Sequence, residues 1–257
     1  MESETLCLSL PYSNYSRRCT YISAKQLQNI EDQSITCYSK ALNLFLAQKD
    51  YPCVGARTAL NSKSYAFGLF DKMECWRTPL ELASGLSTYL KEMATRQSDF
   101  LTYIAIFKFD NFESEISFEK SLWDLLGRLH HIDMEHSGWS AEVGCDPTKS
   151  DFAYSFGGKG FYLVGMHPLS SRKARRFSHA AIAFNLHSQF KNLRNKKRYQ
   201  RFKRVVRENE MSFDGSINPM LSDFGEGLEA PQYSGREVGT DWKCPFKKQD
   251  ARTQTAK

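Results

Sequence analysis

The sequence predicts an α/β fold in the mixed, α+β sense: a central mixed sheet of about five strands, flanking helices, and a long irregular C-terminal wrap. Three observations carry this. Apolar, β-branched and aromatic runs recur at Tyr65–Phe70, Phe100–Phe109, Phe152–Phe156, Phe161–Met166 and Ala180–Leu186. Several are separated by segments whose apolar residues recur at helical spacing. After Met211 the composition shifts to Gly, Pro, Asn and Ser while Met, Leu, Phe, Tyr and Trp persist. That stretch keeps apolar side chains to bury, so it wraps over a core and lines something.

A chain of 257 residues with 18 Phe and 12 Tyr has ample material for one large core. The organisation read from it is a Ser- and Tyr-rich leader over 1–22, a single domain over 23–246 and a polar tail over 247–257. The net charge of +6 is concentrated, since Arg194–Arg207 holds eight Lys or Arg and no acid. Such a face favours anionic partners. Seven cysteines, at 7, 19, 37, 53, 75, 145 and 244, contain no CxxC pair and no matching His spacing. They read as reduced thiols without a zinc site. No apolar run reaches the roughly 18–20 residues that cross a bilayer, and no secretory leader is evident, so the expected location is cytoplasmic, with no membrane partner.

Taken in order, Ala24–Gln48 suits an amphipathic helix interrupted near Gln33, stopped by Tyr51 and Pro52. Cys53 and Gly55 read as a tight loop. Thr78 and Pro79 resemble an N-cap followed by proline at the first helical position, opening a helix over Leu80–Met93. Phe118–Met134 places Phe118, Leu122, Leu125, Leu126, Leu129 and Ile132 on one face, with His130 and His131 at a helix C-terminus, where the dipole favours them whatever their function. Gly157, Gly158, Lys159 and Gly160 bend a hairpin; they join two strands and lack the Lys-Ser/Thr ending of a phosphate-binding loop. His187–Arg207 reads as a basic amphipathic helix with Phe190, Leu193, Phe202 and Val206 on its apolar side.

Candidate chemistry gathers between Gly157 and Phe190. Two strand-like runs each deliver a histidine at the C-terminal end, His167 and His187, and the loop between them carries Arg172, Lys173, Arg175 and Arg176. A cationic loop between buried strands is where a chain meets an anionic partner.

The strings YSFGGKGFYLVGMHPLSSRKARRF (154–177), FNLHSQF (184–190), INPML (217–221), QYSGR (232–236) and DWKCPF (241–246) resemble the YqcI/YcgG family, over roughly residues 30–246. Characterised members of that family look like haem-dependent monooxygenases that hydroxylate a guanidine nitrogen of L-arginine or a related guanidino compound. The resemblance therefore implies heme b (iron) as cofactor, O2 and a small guanidino substrate, and an external electron donor, because no GxGxxG follows a strand. It implies an axial ligand, for which His167 is favoured, with His187 and Cys244 as alternatives. Arg172, Arg175 and Arg176 would clamp the propionates. Asp223, Glu226 and Glu229 are the acids expected to hold a guanidinium. Two other readings stand beside this one: a non-enzymatic haem carrier or sensor, and a nucleic-acid or anion-binding module using Arg194–Arg207. The last lacks the interleaved aromatics of single-strand binders, so nucleic acid is not an expected partner. A homo-oligomer is an open option.

Overall fold

The structure is a computed structural model that describes residues 19–95, 101–195, 199–222 and 225–248. Six strands form one mixed sheet: β1 (Ile22–Ser23), β2 (Tyr65–Phe70), β3 (Thr102–Phe107), β4 (Tyr154–Phe156), β5 (Lys159–Met166) and β6 (Ala180–Leu186), in the order β1-β2-β3-β6-β5-β4. Only β2 and β3 are parallel, joined through α3 (Thr78–Thr95). The mixed α/β fold is as the sequence predicts. The sixth strand is β1, whose two residues are too few to carry a periodicity. Ile22, assigned by sequence to the leader, is thus a sheet residue 1% exposed.

Both faces of the sheet are covered. On one, α3 and α4 (Glu115–Asp133) pack Leu86, Tyr89, Phe118 and Leu122 against Tyr103, Phe161 and Phe184. On the other, α1 (Gln33–Leu46) packs Leu42, Phe45 and Leu46 against Phe67, Ile104 and Ile106. α2 (Val54–Asn61) lies on this second side, where the sequence suggested a loop. The Cys53 sulfur accepts the Ala56 N–H at 3.3 Å, so Cys53 is a helix cap and Gly55 falls inside the first turn. α1 is capped by Asp32, whose carboxylate accepts from the Ser34 and Ile35 N–H groups. α4 opens with a Ser114–Ser117 capping box.

Gly157 and Gly158, at φ +60° and +68°, form the two-residue turn between β4 and β5, the geometry that matches strand twist and that side chains resist. The expected basic helix is two helices, α5 (His187–Asn195) and α6 (Tyr199–Asp214). Residues 215–222 and 225–248 then run around the sheet edge, irregular apart from one 3-10 turn at Ala230–Gln232. β4 covers β5 only near Phe161; further along, the Gly165 N–H donates to the Tyr233 carbonyl at 2.7 Å, so the wrap closes the rest of that edge. Among the described residues no helix is long and apolar enough to cross a membrane.

Candidate functional site

Alternation along the strands decides which side chains share a compartment. Ile104 of β3, Val164 of β5 and Ala183 of β6 point to the α1 side, and Tyr162 and Asn185 lie further along the same rows. Together they floor a cleft of about 270 Å3, near the lower bound of the ~300–1,000 Å3 usual for small-molecule sites. Its walls are Leu42 and Leu46 of α1, Ala56 and Ala59 of α2, and Phe202 and Val206 of α6, with Ser222, Glu229 and Gln232 of the wrap closing one side.

Several of the cleft's polar groups are held from behind. His187, the first residue of α5, is 7% exposed and its Nε2 lies 2.9 and 3.1 Å from the two Glu229 carboxylate oxygens. Tyr233 donates its hydroxyl to Glu229 Oε1 at 2.6 Å and accepts the Tyr154 N–H at 2.9 Å. Tyr162 donates to Gln232 Oε1 at 2.9 Å. Arg175, 7% exposed, lies over Gly235, and its Nη1 is 3.4 Å from the Gly165 and Tyr233 carbonyl oxygens. Glu210 reaches the cleft from α6. Burial pushes its carboxyl above the usual range, opposed by the Asn218 N–H at 3.4 Å and by the Arg172 and Arg175 charges.

The residues singled out in the sequence do not all meet here. β5 and β6 are antiparallel, with Phe161 opposite Leu186 and Met166 opposite Ala181. His167 and His187 therefore leave opposite ends of the pair, on opposite faces. His167 is fully buried on the α4 side, its ring stacked on Phe118 at 4.3 Å, and neither nitrogen has a hydrogen-bond partner among the described residues. It does not line the cleft; His187 does. Of the cationic loop only Arg175 lines it. Arg172 is turned to Ser216, Asp214 and Glu210, and Arg176 donates to the Ser170 and Ser171 carbonyls. Cys244 packs against the α4-side core, beside Trp123, Trp242 and Phe246, and burial pushes its thiol up to about 12. Cys244 does not line the cleft. Glu226 is exposed and Glu229 buried in the cleft wall; Asp223 lies outside the described residues.

Among the groups that escaped the sequence reading are Glu210, on the cleft lining, and Tyr233, buried behind it. Glu210 was detectable: it continues the Phe202–Val206 stripe by one more turn, so it is an acid in phase with apolar neighbours. Tyr233 was not, because apart from Glu229 its hydroxyl meets the Phe161 carbonyl and the Tyr154 N–H, 72 and 79 positions away in the chain.

In kind, the donor set suits a haem. A single imidazole, apolar walls, and Arg175 and Arg207 at the lining answer to one axial bond, a macrocycle and its carboxylates. No group of three or more His, Cys, Asp or Glu able to hold a bare metal ion occurs among the described residues.

No curated protein and no solved structure matches the chain. Residues 42–247 match the family model described as YqcI/YcgG family, well over half of the sequence, and the chain belongs to that family.

Proposed function

We propose that the cleft is the site of a haem-dependent oxygenase that hydroxylates a guanidine nitrogen of L-arginine or a related guanidino compound. The observation that supports this most directly is the buried His187–Glu229 pair opening onto apolar walls, with an acid, Glu210, and a cation, Arg175, on the same lining. Haem held there by His187 would supply an iron centre for O2 chemistry, in which one oxygen atom is inserted into an N–H bond and the other is reduced to water with two electrons and two protons from an external donor and solvent.

The chain's own residues do the rest. Glu229 fixes the His187 ring from behind, as carboxylates do for metal-bound histidines. Arg175 and Arg207 receive carboxylates. Glu210, which among the described residues has a long Asn218 hydrogen bond and a 3.9 Å Arg172 contact, accepts the guanidinium fork. Leu42, Leu46, Phe202 and Val206 keep water from the reacting centre. This reading prefers His187 over His167 as the ligand.

Absorption spectra of the protein expressed with haem precursor test it. A stoichiometric Soret band is expected in the parent and in His167→Ala, and its loss in His187→Ala; the reduced carbon monoxide band should sit at the histidine position. L-arginine should shift the parent's band and shift that of Glu210→Gln less. Retention in His187→Ala with loss in His167→Ala overturns the assignment. Bound haem without product from any guanidino substrate, given a donor, leaves a carrier or sensor.

A further inference from the structure

A row of oxidisable rings leads out of the cleft through the wrap to the opposite face. Tyr162 lines the cleft, and its ring centroid is 6.3 Å from that of Tyr233. Tyr233 stacks on Trp123 of α4 at 5.6 Å and 27°, and Trp123 lies 6.4 Å from Trp242, which is partly exposed on the α4 side. Tyr233 and Trp123 are 0% and 4% exposed, so the two middle members are shielded from solvent.

We propose that Tyr233, Trp123 and Trp242 form a charge relay between the cleft and the far surface, with Glu229 as proton acceptor for Tyr233. The hydrogen bonds give each ring a different role. An oxidised phenol must shed its proton, and Tyr233 alone in this row hands it to a carboxylate, at 2.6 Å. Tyr162 donates to an amide oxygen, a far weaker base. The Trp123 Nε1–H has no acceptor among the described residues. Its oxidised indole keeps the proton and passes the charge on reversibly. Burial holds the Tyr233 phenol well above its ordinary pKa, so the proton stays on until the electron leaves.

The electrons balance as follows. A one-electron oxidant in the cleft takes an electron from Tyr233, whose proton moves to Glu229, leaving a tyrosyl radical beside a carboxylic acid. Trp123 gives Tyr233 an electron and Glu229 returns the proton, leaving an indole radical cation. Trp242 refills Trp123, and an external one-electron reductant, a thiol or ascorbate, refills Trp242. One electron crosses from reductant to oxidant with no net proton change on the protein. The use of the relay, draining an oxidising equivalent that no substrate has consumed, rests on the oxygenase reading of the cleft.

The relay is tested without haem by running it inwards. Haem-free protein is flashed with a soluble ruthenium tris-bipyridine photo-oxidant and persulfate, and tyrosyl radical is read by transient absorption and electron paramagnetic resonance. A long-lived tyrosyl component is expected in the parent and is lost in Tyr233→Phe, in Trp123→Phe and in the surface variant Trp242→Phe, whose fold is least at risk. Glu229→Gln keeps the side-chain size and shortens the radical's lifetime. Equal yield and lifetime in Tyr233→Phe and Trp242→Phe overturn the relay, whether or not haem binds. A second arm tests its use: haem-loaded protein given hydrogen peroxide and a spin trap, without substrate, should carry the adduct on Trp242, and Trp123→Phe should abolish it. An undiminished adduct in Trp123→Phe overturns the draining role. A missing Soret band would count against the haem reading alone.

Discussion

His167 is a histidine whose burial favours the uncharged ring, and removing its ring nitrogens should remove an acid sensitivity of a size set by that burial. Burial holds it at about 4, against 6.5 for an exposed imidazole, with the Glu115 charge opposing and the Arg175 charge assisting. The folded-state value is depressed, so the core favours the neutral ring: the contribution is present above pH 6.5 and is lost as pH falls towards 4. Full titration corresponds to about 3 kcal/mol, of which about 2 kcal/mol falls between pH 7 and pH 4.5. His167→Phe keeps an aromatic ring against Phe118 and Phe112 and deletes the titration. Urea unfolding of both proteins at pH 7, 5.5 and 4.5 should show the variant losing about 2 kcal/mol less than the parent across that range. Comparing the two cancels every other titrating group. Parallel losses would mean that the ring is not enclosed as described, and the argument from burial would fail.

Other substitutions probe the surroundings. Asp110 accepts the Met73 N–H at 2.9 Å, and burial raises its carboxyl to about 6. Its raised value favours the protonated form in the fold, so Asp110→Asn should be more stable than the parent at pH 7 and equal to it below pH 4, by thermal unfolding at both. Gly235 has φ +82° and a Cβ there would meet Arg175 Cδ at 2.4 Å. Gly235→Ala should therefore destabilise by about 1–3 kcal/mol and weaken ligand binding in the cleft, read by denaturant melts and titration. Glu119, 6% exposed, receives two Arg236 hydrogen bonds at 3.0 and 2.5 Å and one from Ser234 at 3.2 Å. Glu119→Ala should lower stability by about 2–4 kcal/mol, and Arg236→Met in that background should recover part of the loss, measured as a double-mutant cycle.

Much of the fold was legible because β2, β3, β5 and β6 are apolar enough to be recognised as strands on their own. The same property hid the site. FYLVGM and AAIAFNL are apolar on both faces, so neither shows which way its terminal histidine turns. Only the register, Phe161 against Leu186, separates His167 from His187, and register is a relation between segments that neither contains. Helix positions carry a readable signal: Glu210 stands in phase with Phe202 and Val206, although the sequence reading did not single it out. Residues of the wrap have no periodicity to read, and Glu229 gains its meaning from His187, 42 positions away.

The strap that seals β5 has a consequence for the order of folding. All six strands and both covering helices of the α4 side precede Ala230 in the chain, yet Gly165, Trp123 and Glu119 find their last partners at Tyr233, Ser234 and Arg236. During synthesis the sheet can assemble while the far end of β5 still presents bare backbone groups and the indole beside it is uncovered. This interval is when two nascent chains are most prone to pair strand to strand. A chain cut between Leu228 and Ala230 should accordingly collapse but aggregate, whereas one cut after Phe246 should remain monodisperse.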